Sequence, residues 1–418
     1  MKPTAAGGPA MLAVLLLAYI FNYVDRQIVG ILAVPIKSDL GLSDTEVGLM
    51  GGLAFSLFYS GLGIPIARLA DRRDRVTIIA ISVALWSLCT ALCGAVQTFT
   101  QLFLARMGVG IGEAGGVAPS YALIADAFPQ EQHARALAIF LLGIPIGSAL
   151  GIVFGGWIAA NIDWRSAFTI VGLAGLLVAP LVRLALRDPR PVDRAGPSTA
   201  ASLGEALRLL ARKPSFWLMS VGNGSGAIAG YGLLFWLPSY FRRSLGLELF
   251  DISLFFGAIV LIGGMTGIWA AGWLGDRLGH RNPTAYAIVP AVAVFLAAPL
   301  NAAGLFVPSL PVAFVLFLVP NGLGLAWAGP VTAAIQQIVP ADMRATASAG
   351  FLFFTNLFGL GLGTVLIGFL SDRFSSAFGE ESLRYAILCA LSFYMLGGVL
   401  YAIAARFIAK DWHSEAAA

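Results

Sequence analysis

ARLADRRDR at residues 67–75 returns in altered form as GWLGDRLGHR at residues 272–281. Asp71 aligns with Asp276 at an offset of 205. Pro119 then aligns with Pro330, and Pro129 with Pro340, at 211; Gly147, Gly151 and Gly156 align with Gly359, Gly363 and Gly368 at 212. Matches that keep their order while the offset drifts slowly forward are the trace of a duplicated unit with small insertions. The chain reads as two related halves.

The solvent of those halves follows from composition. Hydrophobic residues make up 58% of the 418, and charged residues 11%, where a water-soluble domain carries about 25% charged. Mean hydropathy is +0.85. A bilayer span needs roughly 20 consecutive apolar residues, and twelve such stretches are expected at residues 10–34, 46–68, 76–97, 102–126, 134–160, 166–186, 214–241, 252–274, 283–303, 308–338, 346–370 and 384–406. A backbone in lipid must satisfy its own hydrogen bonds, so the spans are helices; the short alternating segments of a membrane barrel are absent. The first stretch is long for a signal peptide and has no small-residue cleavage site after it, so it is expected to be retained. The fold expected is all-α membrane: twelve transmembrane helices in two pseudo-symmetric six-helix bundles. Residues 1–186 form the first bundle. Residues 187–213 form a Pro- and Arg-rich linker with a short surface helix at 203–212, and residues 214–418 form the second bundle.

Lys and Arg set the orientation. Of 26, the termini and the loops on their side hold 18, and the opposite loops hold 6, namely Lys37, Arg165, Arg242, Arg243, Arg373 and Arg384. The expectation is a multi-pass protein of the cell (inner or plasma) membrane with both termini cytoplasmic. Cys89, Cys93 and Cys389 lie in apolar stretches and carry no redox signal. The three histidines are scattered, with no metal-ligand spacing. The GxGxxG of Gly110, Gly112 and Gly115 lies inside a span with no strand before it, so it is no nucleotide fingerprint. Gly108, Gly112 and Gly116 read instead as a close-packing face. No nucleophile elbow, kinase signature or P-loop is present. No enzyme activity and no cofactor are expected, and no nucleic-acid partner, because the net charge of +4 is spread over short loops.

The remaining two basic residues lie inside spans, and with them two acids: Asp25, Arg26, Arg106 and Glu113, all in the first half. A charge at helix centre costs about 2.5–3.5 kcal/mol even on insertion scales, so such residues pair and mark a pathway. Arg106 and Glu113 are seven apart, hence on one face about 10 Å apart along the axis, and Asp25 falls at a depth between them. If the first and fourth helices face each other, Arg106 is shared by the two acids. Burial disfavours a carboxylate's charged form and a nearby cation favours it, so movement of Arg106 between them would switch proton affinity. Arg26 points about 100° from Asp25 and is expected to close the outer side. In the second half the polar candidates for a pocket wall are Asn223, Asn321, Asn356 and Gln336, among the aromatic Phe235, Trp236, Trp327 and Phe354; Asn22 and Tyr23 are candidates from the first half.

These residues carry a resemblance. The loop pair above is similar to the G-x-x-x-D-R-x-G-R/K signature of the major facilitator superfamily: Gly272, Asp276, Arg277 and Arg281 in one copy, Asp71, Arg72 and Arg75 in the other, with Ala67 and Asp74 replacing glycines. The resemblance implies a gating loop. Asn22-Tyr23-Val24-Asp25-Arg26 resembles the N-Y-x-D-R signature shared by spinster-type lipid transporters and organic-anion symporters, and Arg106-Met-Gly-Val-Gly-Ile-Gly-Glu113-Ala114 is similar to the R-x-x-x-G-x-G-E-A stretch of the spinster branch in particular, whose members move lysolipids and sphingoid phosphates. On that resemblance Asp25, Arg106 and Glu113 are the coupling and head-group residues, and Arg26 beside Asp25 is a further candidate. The expected function is secondary transport by alternating access, with protons as coupling ion and a lipid-like anion as substrate, in a monomer embedded in the bilayer. Two alternatives remain: a proton symporter of sugar acids or other small organic anions, and an uncoupled lipid facilitator or non-transporting receptor.

Overall fold

The structure is a computed structural model and describes residues 8–189, 203–279, 282–340 and 343–412. Every regular element among them is helical. Twelve helical segments follow the expected spans. Six run with few interruptions: Arg75–Cys93, Trp164–Ala185, Pro214–Leu245, Leu249–Gly279, Ala285–Gly304 and, extended by Ala33–Leu40, Gly8–Ile31. Among the described residues eight helical stretches are long and apolar enough to cross a membrane, and the last, Thr346–Ala404, is 59 residues long and contains two of the expected spans.

The other spans are interrupted, which hydropathy could not reveal. The fourth breaks after Glu113, Phe99–Glu113 giving way to Val117–Ala127, and the tenth breaks after Leu323, with Pro330–Gln337 beyond. The second and eleventh spans contain wide turns of π type at Leu49–Leu53 and Leu357–Leu362. Each of these turns includes a Gly-rich run, where side-chain packing does least to hold the regular spacing.

By packing the chain divides into two units. One comprises Met1–Pro197 with Leu237–Leu261, the other Ser198–Trp236 with Ile262–Ala418. In the first, the fifth span lies on the first through glycines. A Cβ on Gly147 would stand 2.8 Å from Tyr23 Cβ, and one on Gly151 2.6 Å from Val24 O. In the second unit the eleventh span meets the seventh the same way: a Cβ on Gly359 would stand 2.6 Å from Ala227 Cβ, and one on Gly363 would collide with Ile228 O. The duplicated glycines of the sequence are thus duplicated helix contacts, made at close range where only van der Waals packing and lipid exclusion hold helices together.

The expected linker helix is present as Leu203–Ala211. Leu210 enters an apolar core with Phe216, Ala404 and Ile408, and Trp217 donates its indole N–H to Leu210 O at 3.1 Å.

Candidate functional site

The fourth span presents the site because its glycines let it sink against two neighbours. A Cβ on Gly110 would stand 2.5 Å from Phe55 O of the second span. Cβ atoms on Gly108 and Gly112 would stand 2.6 Å from Cys89 Sγ and 2.5 Å from Trp86 N of the third. Packing at that range points Arg106 and Glu113 inward, and both are fully buried. Glu113 is also the last residue before the helix breaks, with Ala114 to Gly116 forming a turn. A discontinuous span beside buried charges is a common architecture for transporter binding sites.

Arg26, not Arg106, binds Glu113. Its Nε donates to Glu113 Oε2 at 2.7 Å, with the two side chains 8% and 0% exposed. The guanidinium lies over three rings, Tyr59 at 4.5 Å, Phe55 at 4.9 Å and Tyr23 at 5.1 Å from their centroids. Cation–π contacts of this kind are worth up to about 2 kcal/mol each when desolvated. Arg26 thus turns toward the second and fourth spans.

Asp25 faces the third span, where Thr90 donates its hydroxyl to Asp25 Oδ1 at 2.6 Å. Arg106 is within electrostatic reach of both Asp25 and Glu113 and lies 5.7 Å from the Phe55 centroid. Its Nε and Nη1 are buried with no hydrogen-bond partner. Two acids and two guanidiniums are therefore collected among the first four spans, one pair in contact and one apart. Phe55, Tyr59 and Thr90 complete the cluster; sequence reasoning missed them because an uncharged ring or hydroxyl within an apolar span carries no signal of its own.

The other residues singled out from sequence fall into distinct surroundings. Asn22 is buried and Tyr23 half-buried at the cluster. Asn223 spends its amide internally, donating to Thr355 Oγ1 at 2.8 Å and accepting from the Tyr401 hydroxyl at 2.8 Å. Trp236 is fully buried and donates to Thr364 O at 2.8 Å. Trp327 packs on Phe351, centroids 5.8 Å apart. Asn321 and Asn356 are half-buried, the first close to Gly263 and the second at the start of the wide turn of the eleventh span.

In the first loop motif, Arg75 Nη1 bonds Asp126 at the end of the fourth span at 2.6 Å, and its backbone N–H donates to Asp188 at 3.0 Å. Asp74, where a glycine is usual, caps the third span by accepting from Thr77 N at 3.0 Å. The departure from the pattern thus exchanges a flexible turn for a helix cap. Arg72 is exposed. In the second copy Gly272 is half-buried, Arg277 lies 5.1 Å from the Trp273 ring, and a Cβ on Gly279 would collide with Tyr286. Arg281 and the side chains of Asp71 and Asp276 lie outside what the structure describes.

A family model described as the Major Facilitator Superfamily matches residues 15–357. The chain is 36% identical to an MFS-type efflux pump of Mycolicibacterium smegmatis, over 97% of this chain and 95% of that protein. It is 30% identical to protein spinster homolog 1 of Homo sapiens, over 97% of this chain and 82% of that one. A crystal structure of a bacterial homolog to the human lysosomal transporter Spinster, inward-facing and unoccupied, matches with a TM-score of 0.87 at 29% identity, covering 99% of this chain and 100% of that one.

Proposed function

We propose that this chain, which belongs to the major facilitator superfamily and to its spinster type, carries a lipid-like anion across the membrane by alternating access, coupled to protons. It is a transporter and not an enzyme; the substrate class and the coupling are our reading. The observation that supports them is Arg106, a fully buried cation with Nε and Nη1 unpartnered, set beside two carboxyls that keep unlike company. Leaving a buried donor unsatisfied costs about 1–3 kcal/mol, and more when it is charged. The acidic head group of a substrate would remove that cost.

Coupling then has a physical basis. Glu113 is held by a guanidinium, and Asp25 by a neutral hydroxyl. A cation beside a carboxylate favours its charged form, and burial without one favours the neutral form. A substrate that draws Arg106 away leaves both carboxyls more apt to hold a proton, whereas a shift of Arg26 from Glu113 toward Asp25 makes Glu113 accept a proton and Asp25 release one. The residue that moves is thus assigned to the pair Arg26 and Arg106 together, in place of Arg106 alone. We place the protein in the cell membrane with both termini cytoplasmic, on the charge bias of the loops.

The test uses purified protein in liposomes carrying an internal pH indicator. Adding a lysolipid is expected to change luminal pH and to stabilise the protein thermally by mass action. The bare, water-soluble head group is expected to do neither at the same concentration. Equal response to the bare head group would replace the lipid reading with that of a small organic anion. Substrate movement with no pH change would remove the coupling.

A further inference from the structure

The loop side opposite the termini holds a second charge cluster, built on a buried carboxylate, that the site above does not use. Asp44, its side chain 3% exposed, is bonded by three cationic N–H groups: Lys37 Nζ at 2.5 Å, Arg243 Nη1 at 2.7 Å and Arg243 Nη2 at 2.6 Å. The Arg243 fork grips both carboxylate oxygens, the geometry that gives such pairs their specificity. Asp44 opens a helix whose preceding Ser43 forms a complete capping box with Glu46, so the carboxylate is held by a fixed backbone.

The partner comes from an unusual place. Pro214–Leu245 is one helix, but its residues up to Trp236 pack in the second unit and those from Leu237 onward in the first. The change falls beside Pro238, which has no N–H to give the helical ladder and is a usual site of bending. The start of the eighth span, through Leu261, also belongs to the first unit. There a Cβ on Gly156 would stand 2.5 Å from Ser253 Cβ, and one on Gly257 2.6 Å from Val153 Cγ2. Residues 237–261 are thus held on the first bundle by close contacts at Ser253 and Gly257 and by one part-buried, bidentate charge pair near their start.

We propose that the Asp44–Arg243 pair, backed by Lys37, is a latch that keeps residues 237–261 on the first bundle and releases once in each transport cycle, with helix seven bending at Pro238. The proposal rests on transport by alternating access and on neither the substrate nor the proton coupling. Its readout can therefore fail or succeed independently of the preceding section. Lys37 remains beside Asp44 after release and keeps the carboxylate from standing alone.

The experiment places a single reporter cysteine at Ser253, which is fully buried, in a background with Cys89, Cys93 and Cys389 replaced by alanine, and follows maleimide labelling of the full-length protein in detergent. Asp44→Asn and Arg243→Gln are each expected to speed labelling roughly tenfold with a smaller change in melting temperature; Lys37→Gln is expected to speed it less. A paired Asp44→Cys and Arg243→Cys variant, without the reporter, is expected to be bridged by a bis-methanethiosulfonate reagent, which stops transport of whichever substrate the unbridged protein carries, and reduction of the bridge is expected to restore it. Unchanged labelling in Arg243→Gln, or undiminished transport by the cross-linked protein, overturns the latch. Should Asp44→Asn fail to fold, Arg243→Gln and the cross-link decide the matter.

Discussion

The fourth and tenth spans, related by the repeat in the sequence, share one architecture but not one chemistry. Both break midway, after Glu113 in one and after Leu323 in the other. At the 211-residue offset that relates Pro119 to Pro330, Arg106 falls on Phe317 and Glu113 on Gly324. Phe317 is buried, its ring 3.0 Å from where a Cβ on Gly304 would stand. Inside its spans the second unit joins Asn223, Thr355 and Tyr401 in a neutral network; inside its spans the first unit buries four charges. The break and the glycine contacts therefore belong to the fold. The charges do not, because the sister copy folds without them. Groups that cost several kcal/mol each to bury, and that the fold does not require, are retained in one half for what they do there.

That comparison can be broken or sharpened by exchanging the two chemistries. The largest effect is expected from Arg106→Phe, which copies the second half into the first. Removing a buried charged anchor costs about 2–5 kcal/mol of binding, so transport in liposomes should fall roughly 100-fold or more, with the protein still folded. In the same assay Asp25→Asn and Glu113→Gln should abolish substrate-driven pH change. Normal proton movement in both would show that the charges are a structural lock after all.

Arg26→Leu comes next, since it leaves Glu113 buried without its cation. A loss of about 3–5 kcal/mol is expected, read as a drop in melting temperature. The double variant Arg26→Leu with Glu113→Leu should recover most of that loss, because an apolar pair of similar volume replaces an ion pair at little cost. If the single and double variants melt together, the pair is not what holds the first and fourth spans.

The smallest effect belongs to the neutral network. Tyr401→Phe removes one hydrogen bond to Asn223 and should lower stability by about 1 kcal/mol, leaving transport and pH change unaltered. A transport defect there as large as that of Arg106→Phe would erase the division of labour between the halves.

Much of this was legible in the residues. Apolar runs long enough to cross a bilayer, the Lys and Arg bias and the ordered matches between halves required no coordinates, because each depends on composition or spacing along one helix. The glycines at 108 and 112 were readable as a packing face, and they pack on the third span. Legibility stopped where two helices had to be paired. Helical periodicity placed Asp25 and Arg26 about 100° apart but could not say which direction held the third span with Thr90 and which held Glu113. It gave Arg106 a suitable depth and Arg26 an outward role, and the ion pair belongs to Arg26. Asn223 was polar in an apolar span, as a pocket residue would be, yet its partners sit 132 and 178 residues away.

The sequence by itself determined that this protein lives in a membrane, that it is a doubled six-helix unit, and that four charges are buried in one half. These follow from the cost of exposing apolar surface to water or charge to lipid, which each segment bears alone. Which guanidinium meets which carboxyl, where the spans break, and that Arg243 closes on Asp44 were decided by tertiary structure. A charge pair exists only at a separation of a few ångströms, and that separation is set by how helices rotate and settle on their glycines, a property of the assembled bundle and of no segment within it.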